Sequence, residues 1–551
     1  MPWLGWALVV WVVVFWRLGF PSFWDPGDEA QYAQASREML ANGNWLVPTY
    51  NGRLFPDKPP LFYLLQILAY CALGPTEFAA RLVPALSAVG LFVGVIWFER
   101  RLFGPRTGTL GALMLAVLPA TFALSSYGIL DMTFTAFVFT GFALLTVAAL
   151  HARPRLQYGG YACVALAILT KGPLGLVLVA LGMGLALVVT PVLRARVFRL
   201  RWVLGLSMIA IVTLPWFIYM WWQFGDAFVN GYAFRENVWL YTRGLSATAP
   251  AAGAPRLSYT RVLLVGLLPW TPVLIGRLCD LARGLRPSSE ERLLWAWAGA
   301  VTLFFSFSHF KLDHYLYPVA PALCMLAAHA WRDLRAAPRL RPHLGTAIGV
   351  LLSGVTVAVS GLALVPLVRD VPVSMAPSID LVPIVLLAAG GWTVVRLLRA
   401  RLRPPALPLG GVAALLVTYS VVLVAVLPEF ERVKPVKDLA RWVATSVPAD
   451  ARVGAYRIDR WNTSWRFYVD RFVDELAGPD DFDGFMDDDQ KLCVMMQQDF
   501  DELVAGGRPI EIVQERAGLR VTSGHALKRN GAANLKTFVV VGRKSAQPEH
   551  R

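Results

Sequence analysis

Acidic and basic side chains gather in a few short motifs of an otherwise strongly apolar chain. Phe23-Trp24-Asp25-Pro26-Gly27-Asp28-Glu29 sets Asp28 and Glu29 directly after a first hydrophobic segment, and Asp131 in Gly128-Ile129-Leu130-Asp131 opens a later one. Only three lysines precede residue 428: Lys58 in Phe55-Pro56-Asp57-Lys58-Pro59-Pro60, Lys171 in Thr170-Lys171-Gly172-Pro173, and Lys311 in Ser308-His309-Phe310-Lys311-Leu312-Asp313-His314-Tyr315. Charges packed against membrane segments are costly to desolvate and by default mark a functional site. Carboxylates of this kind can hold a sugar and stabilise cationic charge on it, and cations can bind and stabilise a departing phosphate. Simpler roles compete: each lysine alone could snorkel to an interface, and Asp131 could cap its helix.

The elements that carry these groups follow from hydropathy and charge. The 551 residues are 56% hydrophobic and only 16% charged, the composition of an integral membrane protein. Thirteen hydrophobic segments suit a bilayer core of about 30 Å: about 3–20, 76–98, 107–126, 131–150, 158–170, 173–190, 202–222, 261–282, 293–310, 315–331, 344–367, 379–397 and 406–427. Lys171-Gly172-Pro173 separates the fifth from the sixth. Residues 1–427 hold 33 basic and 17 acidic side chains, and 21 of their 30 arginines lie in alternate short loops. That is a topology signal placing those loops in the cytoplasm, not a nucleic-acid surface. It puts the N-terminus inside and the tail outside. The first segment lacks a basic n-region and reads as a retained helix carrying Arg17, not a cleaved signal. The apolar run 61–73 is too short to cross and reads as interfacial or re-entrant.

On this topology Asp28, Glu29, Lys58, Asp131, Lys171 and Lys311 all meet the outer face. Interfacial segments occupy about 23–75, and a long outer loop, 223–260, adds Arg235 and Arg243. A site with cations, carboxylates and an apolar flank suits a lipid-phosphate-linked sugar donor. No nucleotide-binding glycine motif occurs, and the dispersed histidines give no metal signature, so neither a metal nor a further cofactor is expected. Residues 428–551 form an expected second unit, a small exported α/β domain. Its strands are expected near 452–456, 492–496, 510–513 and 538–541, and its helices near 437–446 and 500–505. The run 480–489, with six aspartates, reads as a solvated loop. Five scattered cysteines leave the tail with no internal disulfide.

Asp28-Glu29, the block Ser36-Arg37-Glu38-Met39-Leu40-Ala41-Asn42-Gly43-Asn44-Trp45, the Asp57-Lys58-Pro59 turn, Leu130-Asp131 and Thr170-Lys171-Gly172 together resemble the bacterial lipid A 4-amino-4-deoxy-L-arabinosyltransferases. These belong to the protein O-mannosyltransferase-like group of C-type membrane glycosyltransferases. The likeness is strongest over residues 20–175. Gly27 lengthens the turn before Asp28, Asp57 stands where glutamate is expected, and the tail carries no matching motif.

The resemblance implies a C-type fold with a periplasmic α/β tail in the bacterial inner membrane. It implies inverting transfer of aminoarabinose from undecaprenyl phosphate to a lipid A phosphate, which lowers binding of polymyxin-like peptides. In that reading Asp28 lies near the anomeric carbon. Asp131, with Glu29, holds the sugar, while Lys58 and Arg243 bind the donor phosphate. Lys171, Lys311, Arg235, Tyr315 and Tyr317 are further substrate-binding candidates. Two alternatives remain: a related transferase with a protein or other envelope acceptor, and a flippase of a lipid-linked precursor.

Overall fold

The computed structural model describes all residues other than 1–2, 17, 26, 106, 152, 244–257, 370–380, 449–450, 459–462, 488–490, 520–534 and 545–551. Arg17, the middle of the 223–260 loop and the end of the 480–489 acidic run lie outside the described residues. Each of the thirteen hydrophobic segments contains helix. Among the described residues, six helices are long and apolar enough to cross a membrane: Glu77–Phe103, Asp131–Leu150, Trp202–Arg243, Arg341–Ala363, Leu381–Arg399 and Leu409–Arg432. A seventh span is a bent pair, Tyr259–Gly266 with Thr271–Ala282, turning by 109° across a break containing Pro269. Segment 107–126 is likewise split, into Leu110–Ala116 and Pro119–Ser125, because proline cannot continue the preceding helix. Trp202–Arg243 is too long for one crossing. Its backbone leaves helical geometry at Gly225, so only the part before Gly225 is read as spanning, and the wider turns of Val229–Trp239 follow outside it.

Leu61–Leu73 is a helix of 13 residues, roughly 20 Å long at 1.5 Å per residue, and so falls short of a crossing as expected. It packs between Asp28–Asn42 and Glu77–Phe103. Buried Gln66 fastens it to both, accepting from Ser36 Oγ at 2.7 Å and donating to the Ala80 carbonyl at 3.1 Å.

A two-stranded hairpin, β1 (Thr49–Tyr50) and β2 (Arg53–Leu54), precedes the Asp57-Lys58 turn. The tail folds into a mixed sheet of β3 (Val453–Tyr456), β4 (Val473–Leu476), β5 (Leu492–Met496), β6 (Ile510–Leu519) and β7 (Leu535–Arg543), in the order β4-β3-β5-β7-β6. The first three strands run parallel, and β7 is antiparallel to both of its neighbours. Sequence pattern missed β4, because Asp474 and Glu475 interrupt its apolar character. Helices Val436–Ser446 and Gln497–Ala505 fall where expected. One sheet face, with Val436, Leu439 and Val443, shares a hydrophobic cluster with Phe23, Ala30, Ala33, Tyr70 and Ala79. The tail is thereby packed directly on the juxtamembrane helix that Asp28 begins.

Candidate active site

Asp28 is the first residue of Asp28–Asn42, and the residue before it, Gly27, has extended backbone. A Cβ on Gly27 would stand 2.6 Å from the Tyr127 hydroxyl and 2.8 Å from the Trp24 carbonyl, so the close turn requires glycine there. The Asp28 side chain is accessible to water although protein surrounds it, as for a group lining an internal opening. Asp57, His314, Lys58 and Asp131 are all close enough to act on its charge.

Lys58 lies between two carboxylates. Its Nζ is 2.7 Å from Asp57 Oδ1 and 3.9 Å from Glu236 Oε2. Tyr32 donates to the other Asp57 oxygen at 2.9 Å. Lys171 Nζ meets Asp131 Oδ1 at 2.5 Å, and His314 Nε2 is 3.7 Å from Asp131 Oδ2. Lys171 also lies 4.3 Å from the centre of the Tyr315 ring, a cation–π contact that holds the ammonium without consuming its remaining donors. Gly172 ends the Lys171 helix at φ +79°, where a Cβ would stand 2.3 Å from the Tyr232 hydroxyl. Here a left-handed conformation and a close approach both demand glycine.

Asp57, Lys58, Lys171, Glu236 and Tyr315 line one cavity enclosing about 1050 Å³, part of it open to the outside. Its other wall is apolar, with Leu174, Val177, Leu240, Phe304 and Phe305. Electrostatics divide the carboxyls. Burial and then the Asp57 charge raise Asp28 above the usual aspartate range, against the pull of His314 and Lys58. Burial also acts on Asp57, but the adjoining ammonium of Lys58 outweighs it and holds Asp57 low. Glu236 is pushed up to about 7 by burial and by Asp57, against Lys58. The site therefore combines a carboxylate kept ionised by its lysine with carboxyls that hold protons more tightly.

The geometry gathers Asp28, Lys58, Asp131, Lys171 and Tyr315. It draws in Asp57, Glu236, His314 and Tyr32, which sequence reasoning did not rank as site residues. Asp57 adjoins the highlighted lysine, but the long connection hides the approach of Glu236.

Other candidates lie elsewhere. Glu29 is fully buried and binds Arg81 through two oxygens, at 2.7 and 3.0 Å. It also accepts from the Gly128 amide at 2.7 Å. With both oxygens engaged and no water-exposed edge, it holds the turn and cannot reach a sugar. Tyr317 is buried, 2.8 Å from Thr121 Oγ1, and serves helix packing. Arg243 is exposed, its guanidinium over the Trp239 ring at 5.5 Å, and Arg235 is exposed as well. Lys311 donates to the carbonyl of Ser308, itself a cavity residue, and so stands at the rim.

Residues 57–219 match the family model described as dolichyl-phosphate-mannose-protein mannosyltransferase. An undecaprenyl phosphate-alpha-4-amino-4-deoxy-L-arabinose arabinosyl transferase of Sodalis glossinidius is 32% identical over 345 residues, 59% of this chain and 58% of that protein. Its counterpart in Edwardsiella ictaluri is 29% identical over 60% of each chain. The matched stretch thus spans about three-fifths of these relatives' own length. Over the whole chain, the crystal structure of ArnT from Cupriavidus metallidurans in the apo state superposes with a TM-score of 0.73, at 21% identity, covering 98% of this chain and 96% of that one. The same protein bound to undecaprenyl phosphate gives 0.71 at 22% identity. The chain is a multi-pass membrane protein with the fold of these structures.

Proposed function

We propose that this chain, which carries that transferase fold over nearly its whole length, moves 4-amino-4-deoxy-L-arabinose from undecaprenyl phosphate to a phosphate of lipid A. The reaction takes place at the periplasmic side of the bacterial inner membrane. The supporting observation is the single cavity that joins the Lys58 and Lys171 ammonium groups to carboxylates on one side and a hydrophobic wall on the other. Cations, carboxylates and apolar surface match the phosphate, sugar and polyprenyl parts of such a donor.

The chemistry is a displacement. A lipid A phosphate oxygen attacks the anomeric carbon from the face opposite the donor phosphate. The bond from that carbon to the donor oxygen breaks, its electrons pass to undecaprenyl phosphate, and the configuration inverts. The acceptor phosphate is already ionised near neutral pH, its second pKa being about 6, so no side chain need remove a proton. Asp28 stands at the anomeric centre and stabilises the positive charge that develops there. Asp131 holds the sugar's ammonium or hydroxyls, with its own position fixed by Lys171 and His314. Lys58 receives the leaving phosphate, exchanging part of its contact with Asp57 and Glu236 for the new anion. Arg243, on the helix whose preceding residues line the cavity, meets the donor phosphate at the rim.

The test is expression in a Gram-negative strain lacking its own aminoarabinose transferase, beside Asp28→Asn. Mass spectrometry of lipid A should show an aminopentose adduct with the wild type alone. An adduct on envelope protein instead, with lipid A unmodified, would assign a different acceptor.

A further inference from the structure

The tail does more than pack on the helical bundle: one group of its polar contacts converges on the turn that leads into Asp28. Asp25 is 1% exposed and takes three donors from the start of the Ser464–Val469 helix. The Ser464 amide reaches its Oδ1 at 2.9 Å, Thr463 Oγ1 reaches the same atom at 3.3 Å, and Ser464 Oγ donates to Oδ2. Thr463 Oγ1 is also 3.2 Å from the Gly27 carbonyl, one residue before Asp28. The same short helix presents the Tyr468 hydroxyl to the Phe23 amide at 2.7 Å and sets the Phe467 ring edge-on to Phe23, with centroids 4.8 Å apart.

On the far side of Asp28, Glu29 is fixed to Arg81 and to the Gly128 amide. The side chain of Asp28, between these anchors, makes no hydrogen bond among the described residues. Its location is therefore set by its two neighbours, one held by the helical bundle and the other by the tail.

We infer that Thr463 and Ser464 are positioning residues, through which the tail fixes Asp25 and Gly27 and thereby places the Asp28 carboxylate against the reacting carbon. This rests on the reading of Asp28 as the group at that carbon. Reactions of this kind are sensitive to placement, and a shift of about 1 Å can cost on the order of 100-fold in rate.

The experiment uses the full chain. Thr463→Val combined with Ser464→Ala removes the side-chain donors, and Thr463→Ser with Ser464→Thr keeps them. Arg37→Gln breaks a different tail contact, to the Phe467 carbonyl and Asp470. The donor-less pair should lower kcat about 10- to 100-fold, with KM for the lipid-linked donor within about twofold and a melting temperature lowered only by the few degrees that two lost hydrogen bonds cost. The conservative pair and Arg37→Gln should keep wild-type kcat. Wild-type kcat in the donor-less pair would overturn the inference. So would a loss that tracks melting temperature equally in that pair and in Arg37→Gln, because the tail would then only stabilise the fold. A second readout needs no substrate. Amide exchange over residues 27–35 should rise in the donor-less pair and not in Arg37→Gln, and unchanged exchange there would refute the clamp. Wild-type and Asp28→Asn transfer, measured alongside, separate failure of the reaction assignment from failure of the clamp.

Discussion

Substituting Glu29 separates a structural carboxylate from a reacting one. Glu29 and Arg81 are 0% and 1% exposed, joined at 2.7 and 3.0 Å. Arg81 also donates to the Pro21 carbonyl at 2.6 Å and the Leu18 carbonyl at 3.3 Å. Glu29→Gln leaves that guanidinium buried without its counter-charge, and breaking a buried pair from one side costs about 3–5 kcal/mol. Arg81→Met should cost a similar amount, since it strands the carboxylate. The double variant removes both charges, so the cycle should show a coupling of about 2 kcal/mol or more; the donor that the two carbonyls lose is lost in both Arg81 variants and cancels. The assay is unfolding of the purified protein in detergent, with transfer measured per folded molecule. Glu29→Gln should lose stability and keep most of its transfer, whereas Asp28→Asn should keep stability and lose transfer by about 10²–10³-fold. If Glu29→Gln melted like the wild type yet transferred no better than Asp28→Asn, the assignment of Glu29 to structure would be refuted.

Lys58→Ala should reduce kcat/KM for the lipid-linked donor far more than Arg243→Ala, because Lys58 lines the cavity and Arg243 lies exposed on Trp239. Equal losses measured by lipid A mass spectrometry would refute that ranking and give Arg243 at the rim the same share of the phosphate as Lys58. Burial and Asp57 raise Asp28, so activity should fall with acid at a pH above the usual aspartate range. Asp57→Asn should move that limb to lower pH in a kcat/KM profile. Burial pushes Asp25 from 3.8 up to about 6, so the folded state binds the proton more tightly than the unfolded one. Stability should therefore be lost as pH rises from about 4 to 6, by on the order of 3 kcal/mol. Asp25→Asn should accordingly melt higher than the wild type at pH 7.5, with the gap narrowing at pH 5. Tyr317→Phe should leave transfer intact while costing about 1 kcal/mol of stability, through the lost bond to buried Thr121.

Much of the molecule was legible in the chain because its signals are local. Apolar length marks helices, and the break at Lys171-Gly172-Pro173 separates Leu156–Lys171 from Leu174–Val189. Scarce lysines and carboxylates in apolar surroundings pointed to Asp28, Lys58, Asp131 and Lys171. Desolvation makes such residues expensive wherever they occur, so their mere presence is informative.

Which of them share a site is a different matter, because pairing depends on segments far apart in sequence. Glu29 adjoins Asp28 and looks equivalent, yet Arg81, on the helix Glu77–Phe103, takes it out of the cavity. Tyr317 is two residues from Tyr315, but turns into the helix core to meet Thr121. Glu236 reaches Lys58 across a separation of 178 residues, and Thr463 reaches Gly27 across 436. Sequence by itself determined the elements and the chemical inventory, since propensity, hydropathy and the cost of burying charge act residue by residue. Only the tertiary structure decided which charges neutralise one another and which are left facing the cavity, since distance and dielectric set that balance once the chain has folded.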